Sequence, residues 1–187
     1  MSNLTHFNKK GDVHMVDIAV KKDSNRVACA SGEILMQENT LKQIQKGFSK
    51  KGDVLGVARI AAIQAAKKTS DMIPLCHLIF ITNIEVDFFL KNESSSIVCK
   101  VQVESTGKTG VEMEALIAVQ IGLLTIYDMV KSIDRGMVIT KVSLDKKTGG
   151  KIWVRDISST QTPLINGNSI FIVNRNKEVI CLNILDG

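Results

Sequence analysis

At 187 residues, with 44% hydrophobic and 23% charged residues, the chain has the make-up of an ordinary globular protein that can bury a real core. Aromatic residues are only 4% of the total, which argues against base stacking as the main mode of recognition, and a formal charge of +5 leans towards anionic partners without choosing among them. Cys29, Cys76, Cys99 and Cys181 are scattered without a C-x-x-C pair, so neither zinc-site spacing nor a disulfide framework is visible and reduced thiols are expected. Met1 to Asp17 is polar and interrupted by charge, unlike a secretory signal. The longest apolar stretch, Ala115 to Tyr127, contains Gln120, is flanked by Glu114 and Asp128, and falls short of the ~20 residues of a membrane span. The expectation is a soluble, cytoplasmic protein with no membrane partner.

In chain order, residues 1–25 are polar apart from Met15 to Val20, which suits a strand or an ordered arm. Arg26 to Met36 is strand-like, with Val27, Cys29 and Ser31 alternating against Ala28 and Ala30. Glu38 to Lys46 carries Leu41 and Ile44 at helical spacing and stops at Gly47. Asp53 is a good N-cap for a helix running to about Lys68, whose packing stripe is Val54, Val57, Ala58, Ala61, Ala62 and Ala65. Thr69 to Pro74 breaks that helix. Ile81 to Leu90 is a strand with Ile84, Val86 and Phe88 on one side. After a turn, Ile97 to Glu104 is a second strand with Val101 and Val103 facing one way. Thr109 and Glu112 fit a capping box opening a helix to about Ile133, apolar nearly all round and so buried on several sides. Met137 to Leu144 is a final strand.

This βαββαβ order predicts an α+β, ferredoxin-like sandwich: an antiparallel sheet with helices on one face. It occupies residues 1–151. Residues 152–187 form an extension in which turn signals at Asn166-Gly167-Asn168 and Asn174 to Glu178 surround apolar runs, as in a small hairpin or added edge strands. No chemistry is visible in the extension.

Four polar clusters lie where loops meet these elements, the usual location of sites. Lys50-Lys51-Gly52-Asp53 at a helix start suits a phosphate, and equally a solvated turn with a capping aspartate. His77 in Pro74-Leu75-Cys76-His77 suits hydrogen bonding or proton transfer to a substrate, and equally a satisfied structural histidine. Adjacent side chains on an extended segment point apart, which disfavours a Cys76–His77 metal or nucleophile pair. In Lys108-Thr109-Gly110-Val111-Glu112-Met113-Glu114, one carboxylate can serve the helix start while another accepts from the N–H edge of a guanine-like ring. Asp128 and Lys131, at i and i+3, share a helix face. They are either an acid–base pair tuned by partial burial or a surface ion pair.

Together and in order, these segments carry a resemblance. Leu4-Thr5-His6-Phe7, Met15-Val16-Asp17, the run from Lys51 to Thr69 (KGDVLGVARIAAIQAAKKT), Ile73 to His77 (IPLCH), Gly107 to Leu116 (GKTGVEMEAL), Leu124 to Lys131 (LTIYDMVK) and Lys147 to Lys151 (KTGGK) closely resemble the cyclic pyranopterin monophosphate synthase family, also called molybdenum cofactor biosynthesis protein C. The resemblance runs from about residue 3 to 151. It implies a ferredoxin-like subunit in a homohexamer, a trimer of dimers with active sites at subunit interfaces. The implied substrate is 3′,8-cyclo-7,8-dihydroguanosine triphosphate, and the products are cyclic pyranopterin monophosphate and pyrophosphate. Lys51, Asp128 and Lys131 match the catalytic positions. Leu75, Cys76, His77, Met113 and Glu114 match substrate-binding segments, and Asp17, Lys21, Arg26, Lys67, Glu112 and Lys147 match polar positions around the pocket. The rearrangement needs proton transfers and stabilisation of released phosphate charge but no redox step, so no cofactor and no metal are expected.

The chain also departs from the family pattern. Leu78 stands where the family usually has proline, and without that stiffening ring the loop beside His77 is expected to be looser. Ala62, Ile117 and Val130 replace glycine, threonine and cysteine, and Ile152-Trp153 replaces Ser-Gly before a longer tail. Two other classes compete. An RNA-recognition module needs stacking aromatics on its central strands, and Ile97 to Glu104 has none. A non-catalytic paralogue is opposed by the intact Lys51, Asp128 and Lys131.

Overall fold

Alternation of small and branched residues lays down the first strand, and the elements follow as β1 (Ser24–Leu35), α1 (Glu38–Gln45), α2 (Val54–Lys67), α3 (Thr69–Met72), β2 (Ile81–Lys91), β3 (Ser96–Gly107), α4 (Glu112–Val130), β4 (Val138–Leu144), β5 (Leu164–Asn166), β6 (Ser169–Val173) and β7 (Val179–Asn183). The structure, a computed structural model, describes residues 6–8, 10–47, 52–145, 164–166, 169–173 and 179–183. Two units emerge, Met1–Gly150 and Lys151–Gly187.

In the first unit a four-stranded antiparallel sheet has the order β2-β3-β1-β4, the expected α+β sandwich. One face of β3, Ile97, Cys99, Val101 and Val103, is wholly buried and meets Ala28, Ala30 and Ile34 of β1 under the helices. Helix α4 packs on β1, β3, β4 and α2. Small residues permit that approach. A Cβ at Gly32 would stand 2.7 Å from side-chain carbons of Val119 and Leu123, so α4 lies against β1 with no room for a methyl group. A Cβ at Gly122 would stand 3.4 Å from the Ala62 methyl, so the alanine at 62 is accommodated by the glycine facing it.

Several expectations are adjusted. The α2 stripe is Val54, Ala58, Ala62, Ala65 and Ala66, with Val57 42% exposed, because α2 turns its alanines rather than its branched residues towards α4. After Lys68 the chain makes the short helix α3 instead of stopping, and Thr69 Oγ1 donates to the carbonyls of Ala65 and Ala66. Asp53 does cap α2, accepting from Gly56 N at 2.9 Å. The capping box at Thr109 does not form. The N-cap of α4 is Val111, with no side-chain cap, so Glu112 opens the helix instead of occupying its third position. Helix α4 is long and apolar enough by composition to cross a membrane, yet Ala115, Ala118, Val119, Gly122, Leu123 and Ile126 are buried against the sheet and α2, as in a core helix.

Residues Met15 to Val20 belong to an arm without a named strand. An isolated bridge, Phe7–Val13, and turns around Ile18 to Lys21 give it its course. In the second unit the expected hairpin gains a third strand, giving an antiparallel β5-β6-β7 meander in which Ile170, Phe171 and Ile172 are half-buried and Leu164 is 66% exposed. The basic turn at residues 48–51, the KTGGK segment and Ile152-Trp153 lie outside the described residues.

Candidate active site

Three loops converge beside the N-terminus of α4. A cavity of ≈ 280 Å³ is bounded by Leu75, Cys76 and His77 from the segment after α3 and by Glu112, Met113 and Glu114 from the first turn of α4. His6, Val16, Ile18 and Lys21 from the N-terminal arm, with Ile79, Thr109 and Gly110, complete its wall. Seven sequence-predicted residues, Lys21, Leu75, Cys76, His77, Glu112, Met113 and Glu114, are thus brought together within one chain.

Glu114 defines the electrostatics. It is 3% exposed, and its Oε2 is buried with no hydrogen-bond partner. Burial, with Glu112 adding to it, pushes its carboxyl above the ordinary glutamate range. An acceptor left unsatisfied in such a place costs about 1–3 kcal/mol, so the cavity suits an N–H donor that no described residue provides. Nearby, burial and then the Glu114 charge push the Cys76 thiol up, so it is a neutral thiol and a weak nucleophile. His77 donates from Nε2 to the Val16 carbonyl at 2.8 Å. That bond fixes the tautomer and leaves Nδ1 as an acceptor when the ring is neutral.

The remaining predicted residues are elsewhere. Asp17 turns back on its own arm, its Oδ1 accepting from Ala19 N at 2.8 Å. Arg26 donates from Nε to Gly107 O at 3.3 Å and from a terminal nitrogen to Lys108 O at 3.4 Å, clamping the loop ahead of α4. Lys67 lines a separate cavity of ≈ 480 Å³ along Ile79 to Ile84, and Ile79 borders both cavities. Lys51 and Lys147 lie outside the described residues.

Asp128 and Lys131 stand at the opposite end of α4. Their ion pair closes at 2.6 Å, with the Lys131 side chain 52% and the Asp128 side chain 59% exposed. Of the two readings, tuned pair or surface ion pair, the described residues give the exposed one: Met129 and Val130 of the last turn are buried, and Asp128 and Lys131 lie on its outward face. The hydrogen bond and charge of Asp128 raise the Lys131 pKa and hold it as an ammonium. At 1.5 Å per residue, Asp128 is about 21 Å along the helix from Glu114. Among the described residues no three His, Cys, Asp or Glu side chains converge as a metal site.

A profile described as the MoaC family matches residues 15–150, which is most of the chain, with all of the four-stranded sheet and every described cavity-lining residue except His6. The chain belongs to the MoaC family. Membership assigns it to molybdenum cofactor biosynthesis, among enzymes that process a small molecule. Among solved structures, the full extracellular region of zebrafish Gpr126/Adgrg6 is similar with a TM-score of 0.27 and 9% identity, covering 68% of this chain. The chain spans 14% of that protein's length, and a likeness this low carries no argument about fold or function.

Sequence reasoning named Lys21 of the arm but missed the apolar residues that line the cavity beside it. Val16, Ile18 and Ile79 are apolar residues on irregular segments, where no periodicity marks which way a side chain points. It also missed Asp134, which is 2% exposed and accepts from Gln37 N at 2.8 Å, Thr40 Oγ1 at 3.1 Å and Gly136 N at 3.0 Å. That carboxylate ties the chain after α4 to the start of α1.

Proposed function

We propose that this MoaC-family protein converts 3′,8-cyclo-7,8-dihydroguanosine triphosphate to cyclic pyranopterin monophosphate with release of pyrophosphate, as a cytoplasmic lyase. The observation that carries the reading is the buried, unpartnered Glu114 Oε2 in a cavity shared with Lys21, His77 and Glu112. A guanine-derived ring offers adjacent N–H donors on one edge, and a buried carboxylate is the acceptor that matches them. Lys21, with Lys67, Lys147 and Arg26, supplies positive charge for the triphosphate and for the pyrophosphate that leaves. Asp128, Lys131 and Lys51 serve as the acid–base groups that open and reclose the ring.

Separation along α4 supports a site shared between subunits. A substrate seated against Glu114 cannot reach Asp128 of the same chain about 21 Å away. The catalytic pair therefore comes from a neighbouring subunit, in a homohexamer built as a trimer of dimers with residues 1–151 as the synthase domain. Burial against that neighbour would also give Asp128 and Lys131 the shielding that they lack alone.

The test is incubation of purified protein with the cyclised nucleotide, following pterin product and pyrophosphate, beside a Lys51→Ala control. Both products, severely reduced in the control, are expected. Nucleotide binding by a folded oligomer without product would overturn the synthase reading and leave a binding paralogue.

A further inference from the structure

The arm is held over the cavity by very little. Residues 14–23 form no named strand or helix, yet Val16, Ile18 and Lys21 form part of the cavity wall. The turn is set from within: Asp17 Oδ1 accepts from Ala19 N, and Lys21 N donates to Ile18 O at 3.1 Å. Internal bonds give the turn its shape but do not decide where it sits.

Among the described residues, two side-chain hydrogen bonds tie this arm to the body. His77 Nε2 donates to Val16 O at 2.8 Å, and Lys108 Nζ donates to Ala19 O at 2.8 Å. The two accepting carbonyls flank Asp17 and Ile18. Lys108 is itself held, because Arg26 of β1 donates to the carbonyls of Gly107 and Lys108. A continuous path thus runs from the central strand, through the loop ahead of α4, to the turn that carries Lys21 to the cavity.

We infer that Lys108 is a positioning residue for the proposed site: it fixes the arm so that Ile18 and Lys21 form the cavity wall, with Arg26 fixing Lys108 in turn. The inference rests on the proposed reading of the cavity as a nucleotide site. Lys108 lies in the loop ahead of α4, whose first-turn carboxylates, Glu112 and Glu114, are assigned to the ligand. Its ammonium is engaged with a backbone carbonyl, so its effect on the ligand passes through Lys21. A charge-assisted bond on a partly exposed residue contributes little to global stability, but it decides whether an otherwise irregular segment stays closed.

The experiment uses the full chain with Lys108→Met, which keeps the length of the side chain and removes the donor, and with Lys108→Arg, which restores a donor. Amide exchange across residues 14–23 is read without ligand, and an increase of about 10-fold is expected in Lys108→Met with no change in the core strands. The KM for the cyclised nucleotide is expected to rise about 10-fold with kcat within about 2-fold, and Lys108→Arg is expected to recover most of the loss. Affinity for GTP, used as a probe, is expected to fall in parallel. Unchanged arm exchange would overturn the inference. So would faster exchange with unaltered KM and GTP affinity, or a fall in kcat at constant KM. A wild type that binds GTP but makes no product would fail the reading of the reaction, and the exchange and GTP measurements would still decide the role of Lys108.

Discussion

The two ends of α4 carry acidic residues in opposite circumstances. At its start Glu114 is buried, without a partner at Oε2, and faces a formed cavity. At its end Asp128 is well exposed and already satisfied by Lys131. The first arrangement stores an unmet hydrogen bond, which a ligand can relieve. The second is an ordinary surface ion pair until something covers it, and exposed pairs of this kind contribute about 0–1 kcal/mol. One helix therefore presents an unmet acceptor at one end and a satisfied, exposed ion pair at the other. On the proposed reading the first end recognises the ligand, and the second acts in a site completed by another copy.

The contrast breaks most visibly at the exposed end. Asp128→Asn should lower kcat by about 10²–10⁴, the usual range for a general acid or base, while unfolding free energy stays within about 0.5 kcal/mol of wild type. Steady-state kinetics and urea melts check both parts, and a large loss of stability would make the pair structural. Mixing Asp128→Asn with Glu114→Gln subunits sharpens the point. Random exchange would give about a quarter of composite sites both intact residues, and activity should return to about that fraction. No recovery after verified exchange would place both residues' roles in one subunit.

At the buried end the expected loss is smaller and the stability effect has the opposite sign. Glu114→Gln should reduce kcat/KM about 10- to 100-fold, the value of a hydrogen bond to a charged acceptor. Its effect on stability follows from the raised carboxyl pKa. Below the ordinary value of 4.5 both folded and unfolded chains hold the proton and no penalty exists. As pH rises past that value the unfolded chain ionises first, so wild-type stability falls until the folded carboxyl ionises as well. The glutamine variant lacks that slope. Thermal melts should therefore nearly coincide at pH 4 and favour Glu114→Gln at pH 8. A variant less stable than wild type at pH 8 would mean that the carboxylate is a structural member of the core.

The legibility of the sequence divides along the same helix. The sheet was readable because β1, β2 and β3 alternate with period two and β1 carries small residues where α4 approaches. The cavity was readable through the PLCH and GKTGVEMEAL segments, whose polar residues sit beside glycine and proline at element ends. For Asp128 and Lys131 the spacing left a shielded pair and a surface ion pair both open, since an apolar helix does not mark which residues of its last turn face outward, and the pair lies exposed. The arm was opaque for another reason. Its position is set by carbonyls of Val16 and Ala19, and backbone acceptors are the same in every sequence.

The smallest expected effect concerns how α4 begins. Thr109 and Glu112 have the spacing of a capping box, yet the helix starts at Glu112 behind Val111, which is fully buried at φ −113° and ψ 27°. Thr109 and Gly110 instead border the cavity, so the loop is shaped by the site rather than by the helix end. Asp53 is the contrasting case, a side chain that does accept from the first turn of its helix. Asp53→Ala should therefore cost about 1 kcal/mol in a urea melt, whereas Thr109→Ala should cost less than about 0.5 kcal/mol. Equal losses would mean that Thr109 caps α4 in solution. The cavity would then be narrower at that wall, because the loop would have to wind about half a turn further into the helix.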